Sequence, residues 1–404
     1  MHRPLQTRIG SSGRRIALPL LRALDRVVQP MVPVVDDRVC YVSIPDYTDN
    51  AYWMYRHLLE VRRDLEHVWL LSDMSQAQRV RDEFAGAEAR GHRLVIKRWS
   101  ARSYLDFMSA RVCFHTHGAF GYATPRGRRV SVCLWHGMPV KAIRRLERRD
   151  EGMFPVYGSV HVATSSFFRY IIAGVFDAHP RDVLVSGLPR TDVLKGFATP
   201  NHDRAAIASQ LGFDPDRRWI LWMPTHRSEP DAPGDPRAAS FLDALDPALL
   251  EALAEAGGEA QVIVKLHPMD VLNHRPVDLG PSITLLTAPQ WQATGIQLYD
   301  LVAASDALIT DVSSIFIDYL HTGNPIGVMG FDPSSYTRDT LFDHGHLLRC
   351  DAAHRLDTPD DVKRFVDAID PSAVRPSGSA DLSVVFNEDG DTASASAIAD
   401  AVGL

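Results

Sequence analysis

The residues best suited to hold a diphosphate sit in two short segments of the second half of the chain. Lys265-Leu266-His267-Pro268 follows the apolar run Val262-Ile263-Val264. Alternation along an extended chain places Lys265 and His267 on one side. A lysine and a histidine at a strand end can neutralise a leaving phosphate, and stabilising developing charge is commonly the largest catalytic contribution. A buried lysine–carboxylate pair is the bland alternative. The second segment runs from Asp306 to Leu320. A strand is expected to stop at Thr310, Asp311 opens the turn, and a helix carrying Ser313 and Ser314 in its first turn is expected to close at Gly323 before Pro325. Free N–H groups and a partial positive charge at a helix start suit an anion. Asp318 follows Ser314 by four residues on the same helix face, where it can accept from a polyol hydroxyl or pair structurally.

Other strand-end segments carry acid–base and anion-binding residue types. Trp135-His136-Gly137-Met138-Pro139 puts an imidazole at the end of an apolar run, with Gly137 permitting close backbone approach. A histidine near its own pKa is the usual base for activating a hydroxyl, though a turn-capping role fits as well. Lys141, Arg144, Arg145 and Arg148 fall on one flank if this stretch is helical, forming an anion or acceptor patch or a solvated face. Gly187-Leu188-Pro189-Arg190 offers a bidentate guanidinium to a phosphate, or an interdomain ion pair. Met223-Pro224-Thr225-His226-Arg227 aims Thr225 and Arg227 from a further strand end. His115-Thr116-His117-Gly118 lacks an acidic partner at ligand spacing and reads as a strand-end loop near the acceptor, so no metal site is expected.

The elements that must position these residues alternate. Strands are expected at 39–44, 68–71, 92–97, 112–116, 130–135, 160–164 and 183–187, with helices at 50–65, 76–89 and 166–176. A second series has strands at 219–223, 261–266, 283–286, 307–310 and 326–329, with helices at 204–211, 241–256 and 392–402. The pattern predicts an α/β protein of two Rossmann-like domains facing across a cleft. The expected divisions are a basic amphipathic segment 1–36, an acceptor domain 37–200, a donor domain 201–380 and a helical segment 381–404. The proline-bearing loop 229–239 and the Pro/Gly/Ser stretch 371–380 are expected to be exposed.

Bulk composition narrows the function classes. The chain has 404 residues, 45% hydrophobic and 23% charged, and a formal net charge of −7. Its size predicts two or three domains, and its acidity argues against a general nucleic-acid binder. The four cysteines form no C-x-x-C pair and read as buried thiols. No apolar run reaches membrane-spanning length. Near the N-terminus Leu20, Leu24, Val27, Val28 and Met31 follow helical spacing among six arginines and one acid, Asp25. That segment fits a membrane interface, or a helix docked on the protein's own core.

Taken in order, Trp135 to Pro139 with Lys141, Gly187 to Arg190, Pro224 to Arg227, Lys265 to Pro268, Leu308 to Ser314 with Asp318, and Asn324-Pro325 with Tyr336 resemble the CDP-glycerol glycerophosphotransferase family of teichoic-acid and capsule polymerases. The resemblance implies a GT-B architecture, CDP-glycerol as donor substrate, no further cofactor, and transfer of glycerol phosphate to a lipid-linked or polymeric anionic acceptor with release of CMP. It implies that His136 is the base and that Lys265, His267, Ser313, Ser314 and Asp318 serve the donor. It also implies work at the cytoplasmic face of the cell membrane, bound peripherally through the N-terminal segment; a homo-oligomer is compatible with it. Met138, Thr191, Val312 and Arg338-Asp339 stand where the family usually has Thr, Asn, Tyr and Arg-Gly. Those departures leave CDP-ribitol or another CDP-polyol open as donor. A nucleotide-sugar GT-B enzyme and a non-catalytic membrane-surface scaffold are the rival readings.

Overall fold

The chain divides into two compact units, one comprising residues 1–138, 143–192 and 387–404, the other 139–142 and 193–386. The computed structural model describes residues 11–123, 125–147, 158–225, 245–256, 260–267, 279, 282–311, 313–329, 340–342, 344–370, 383–388 and 392–404. His226, Arg227, Arg148, Pro268, Val312, Tyr336, Arg338 and Asp339, with the stretches 229–239 and 371–380, lie outside the described residues.

Runs of β-branched and aromatic residues buried on both faces form the first sheet, as parallel strands require. Its strands are β1 (Val35–Val42), β2 (Glu66–Leu71), β3 (Arg93–Arg98), β4 (Ala110–His115), β5 (Val130–Cys133), β6 (Val160–Ala163) and β7 (Val183–Val185). All pair in parallel, in the order β3-β2-β1-β4-β5-β6-β7. The order reverses between β1 and β4, so a crevice opens beyond the carboxyl ends of those two strands. The second sheet holds β8 (Arg218–Met223), β9 (Ala260–Lys265), β10 (Ile283–Leu286), β11 (Ala307–Thr310), β12 (Ile326–Met329) and β13 (Ala353–Leu356). Its order is β10-β9-β8-β11-β12-β13, with the reversal between β8 and β11. Ile220, Trp222, Val262, Val264 and Ile309 pack its core against Leu249 and Leu253 of the helix Pro247–Ala256.

The N-terminal helix α1 (Ser11–Val28) presents a polar contact to the body of the first unit. Asp25 is 3% exposed and accepts from the Tyr104 hydroxyl at 2.7 Å, while Arg129 donates to the Gln29 carbonyl at 3.1 Å. Leu20, Leu24, Val27 and Met31 therefore face outward in one row, the reverse of a helix seated by its apolar stripe.

The domain boundaries differ from the expected ones at the C-terminus. The last helix, Ser394–Val402, belongs to the first unit and does not stand apart as a separate segment. Its first N–H groups, from Ser394 and Ala395, donate to the Asp192 carboxylate at 2.8 Å each. A carboxylate at a helix start offsets both the unpaired donors and the dipole. The strand 353–356 and the helices Ala288–Thr294, Leu298–Ala304 and Pro359–Asp367 were not expected from sequence.

Removing the Asp192 carboxylate leaves two buried donors unpaired. Asp192→Ala is expected to destabilise the protein by about 2–3 kcal/mol in urea unfolding. A change within about 0.5 kcal/mol, the range of ordinary surface substitutions, would contradict this tertiary cap.

Candidate active site

In the first unit, the chain leaving β4 and the chain leaving β5 bring three rings together. His136 is half-buried between the Trp135 indole, at 4.0 Å between centroids, and the His117 imidazole, at 4.2 Å and 9° from parallel. The backbone makes a tight turn to put it there: Trp135 has φ of 51° and Gly137 φ of 129°. A positive φ is uncommon for a bulky residue and ordinary for glycine. His117 Nδ1 bonds the Thr116 hydroxyl at 2.9 Å, and that hydroxyl accepts from Ile44 N–H at 3.3 Å, tying the loop after β4 to the chain leaving β1. Burial pushes His117 down to about 4, with nearby Asp49 raising it and Arg144 lowering it. His117 is then neutral at physiological pH, so it does not repel a cation forming on its stacked neighbour. His115 is a scaffold residue: it is fully buried, bonds Ser131 at 3.0 Å and accepts from Gly118 N–H at 3.1 Å.

The turn is clamped by α2 (Asp49–Val61). Asn50, with no exposed surface, donates to the Trp135 carbonyl at 2.9 Å and accepts from the Arg190 backbone N–H at 3.1 Å. One amide thus fastens the histidine turn to the Gly187–Arg190 turn. Arg190 is 6% exposed, and its guanidinium bonds Asp49 at 2.8 Å. The Arg190 guanidinium thus meets a carboxylate of its own unit. Sequence reading missed Asn50 and Asp49, which announce themselves only as a helix start after Thr48.

Over its described residues, 140–147, the basic run after Pro139 is not an α-helix, so Lys141, Arg144 and Arg145 do not share a helical flank. Lys141 pairs by an isolated bridge with Thr340 in the second unit, and Arg144 (φ 53°) begins a single 3-10 turn in the first. Arg145 meets Asp177 at 3.6 Å on the surface, where such a pair contributes little.

In the second unit the donor candidates gather at the carboxyl ends of three adjacent strands. Lys265 ends β9, Thr225 follows β8, and Thr310 to Ser314 follow β11. Only β8 separates Lys265 from the serine turn, a lateral span of about 10 Å at ordinary strand spacing. Lys265 is 7% exposed; its ammonium donates to the Leu266 carbonyl at 2.9 Å and lies 5.6 Å from the Trp291 ring centroid. Burial pushes it down to about 8. His267 is exposed, because β9 ends at Lys265 and the alternation expected to pair the two side chains does not carry on.

Thr310 and Asp311 brace this edge. The Thr310 hydroxyl donates to the Met223 carbonyl at 2.8 Å, and Asp311 accepts from Thr225 N–H at 2.9 Å. The Thr225 hydroxyl is buried with no hydrogen-bond partner among the described residues. Ser313 and Ser314 are half-buried, and their hydroxyls make no side-chain hydrogen bond among the described residues. The helix they begin is short: Ile315–Tyr319, continued by the 3-10 turn Leu320–Thr322 to Gly323 at φ 67°. First-turn N–H groups and hydroxyls, not a long macrodipole, are what it offers an anion. Asp318 is fully buried, and one of its carboxylate oxygens accepts from the Tyr299 hydroxyl, which anchors this short helix. Among the described residues no cluster of three or more His, Cys, Asp or Glu side chains is gathered as a metal ligand set.

Two doubly wound parallel units with polar residues concentrated beyond the strand ends define an α/β protein of the GT-B type. The chain belongs to the CDP-glycerol:poly(glycerophosphate) glycerophosphotransferase family, whose model matches residues 26–369. It is 20% identical over 307 residues to the teichoic acid poly(glycerol phosphate) polymerase of Staphylococcus epidermidis, covering 72% of this chain and 40% of that protein. It is 25% identical over 186 residues to the teichoic acid poly(ribitol-phosphate) polymerase of Bacillus spizizenii, covering 46% of this chain and 28% of that one. The chain thus spans less than half the length of these curated relatives. Among solved structures, the wall teichoic acid polymerase TagF shares the fold at a TM-score of 0.69 and 16% identity, over 96% of this chain and 93% of that one. A UDP-N-acetylglucosamine 2-epimerase from Listeria monocytogenes shares it at 0.51 and 14%, over 91% and 96%.

Arg190→Met is expected to cost about 3–5 kcal/mol by stranding Asp49, and adding Asp49→Leu to recover part of that loss in denaturant unfolding. An Arg190→Met protein of unchanged stability that no longer binds CDP-glycerol would return Arg190 to the donor site.

Proposed function

We propose that this chain transfers glycerol phosphate from CDP-glycerol to a hydroxyl of a lipid-linked or polymeric acceptor. The observation that carries the reading is Lys265: a buried ammonium at the carboxyl end of β9, one strand from the second sheet's topological switch, faced by a carbonyl and an aromatic ring and by no carboxylate among the described residues. A buried charge without a counterion calls for an anionic ligand. Thr225, Ser313 and Ser314 supply the neutral donors a diphosphate also needs, and His267 at the exposed end of the same edge can meet the leaving phosphate. Membership of the family and the similarity to a poly(glycerol phosphate) polymerase support glycerol phosphate as the group moved.

The first unit supplies the base in this reading. His136 takes the proton of the acceptor hydroxyl as its oxygen attacks the phosphorus that bears glycerol. The bond from that phosphorus to the bridging oxygen breaks, and CMP leaves with the electron pair. His117, held neutral, stacks on the imidazolium that forms. The likeness to a poly(ribitol-phosphate) polymerase makes CDP-ribitol the second donor to test.

The same reading places the protein at a membrane surface. Among the described residues no helix is long and apolar enough to cross a membrane. The outward row comprises Leu20, Leu24 and Val27 of α1 with Met31 of the turn after it, the same segment exposes Arg22 and Arg26, and the only acid in that stretch, Asp25, is turned inward. An apolar row beside cations suits anionic lipid, and a lipid-linked acceptor would be met there.

His136→Ala is expected to lower transfer by at least about 10²-fold, the usual worth of a general base, with CDP-glycerol affinity unchanged within about twofold. Product masses from CDP-glycerol or CDP-ribitol and a short lipid-linked acceptor, beside calorimetric donor binding, would show it; equal loss of both would contradict the base role. Leu24→Glu/Val27→Glu is expected to abolish co-sedimentation with anionic vesicles at an unchanged melting temperature. Persistent vesicle binding would refute the α1 contact.

A further inference from the structure

The helix Ala288–Thr294 enters neither the family motifs nor the chemistry above, yet it is built with care. Thr287 and Gln290 form a reciprocal capping box, Pro289 lies in its first turn, and Gly295 closes it at φ 71°. These devices fix Trp291, whose N–H donates to the Thr287 carbonyl at 2.9 Å. Trp291 is half-buried, and its ring lies 5.6 Å from Lys265 Nζ. We propose that Trp291 is a positioning residue that sets donor affinity: its indole face holds the Lys265 ammonium, in charged form, where the donor's diphosphate is to lie.

Among the described residues, the surroundings of Lys265 leave that task to the indole. β10, which pairs Leu286 with Lys265, and the helix Ala288–Thr294 carry no titratable residue. β8 carries only Arg218, at its opposite end, donating to the Val366 and Ile369 carbonyls. In the helix Pro247–Ala256 the acids Glu251 and Glu255 are exposed. Asp311, beyond β11, accepts from Thr225 N–H, and His267 lies two residues on at the exposed end of the edge. Burial alone disfavours the ammonium. The ring quadrupole opposes that effect, and does so most strongly in a desolvated site. An amine that lost its proton would no longer attract a diphosphate, so the indole extends donor binding to higher pH.

The inference rests on the donor site proposed above, and the test separates the two. Full-length wild type, Trp291→Phe and Trp291→Leu are compared, with melting temperatures to establish folding. The Lys265 titration midpoint is read by NMR with ¹³Cε-labelled lysine, assigned through Lys265→Arg, and CDP-glycerol binding is measured at pH 6 and pH 8. Trp291→Leu is expected to lower the midpoint by about one pH unit and weaken binding about fivefold at pH 8, with little change at pH 6, whereas Trp291→Phe keeps most of both. A filler role would weaken binding alike at both pH values and would not distinguish Phe from Leu. Either that outcome or an unmoved midpoint overturns the inference. If the midpoint moves as stated but wild type binds no CDP-glycerol, the donor reading fails and the Trp291–Lys265 contact stands.

Discussion

Burying a lysine ammonium costs several kcal/mol unless something of opposite charge or strong dipole faces it. Among the described residues, what faces the Lys265 ammonium in the second unit is a carbonyl and an indole ring. The Thr310 and Asp311 side chains are tied to the backbone of Met223 and Thr225, joining the β8 and β11 ends, and Asp318 to Tyr299 joins the short helix to the helix Leu298–Ala304. What remains unengaged among the described groups are hydroxyls: Thr225, Ser313 and Ser314. In the reading proposed above, an incoming diphosphate completes this arrangement of a buried cation and neutral hydroxyl donors.

The first unit solves a different problem, which is to present one imidazole without leaving it loose. Its turn takes positive φ at Trp135 and Gly137, conformations that persist only when the surroundings enforce them. Asn50 does the enforcing, by holding the Trp135 carbonyl with one end of its amide and the Arg190 N–H with the other. Arg190 and Asp49 then neutralise each other beside it. The residues that look most like ligand-binding groups in this turn are those that hold it shut.

Much of the fold was legible because it is written locally. Helices 166–176 and 204–211 and strands 283–286, 307–310 and 326–329 agree with the expected limits, since their apolar runs and bounding Ser, Asp and Gly residues act over a few positions. The helix at 288–294 was missed although Thr287-x-x-Gln290 and Gly295 signal it, because its single turn of apolar pattern is too short for periodicity to show. The expected helix over the basic run failed for the opposite reason. Its charge spacing fits a helix wheel, but Lys141 and Arg144 are drawn into different units.

By itself the sequence determined that a strand ends at Thr310 and, to within one or two residues, that others end at Lys265 and just before the Trp135-His136-Gly137 turn, because strand endings depend on nearest neighbours along the chain. Only tertiary structure decided which strand ends lie side by side. The order β9-β8-β11 sets Lys265 one strand away from the serine turn, and the positions of β4 and β5 stack His117 on His136. It also decided that Arg190 would be spent on Asp49, 141 residues away, and Asp318 on Tyr299. A charged side chain's partner is chosen by proximity in space, and spacing along a sequence does not encode that.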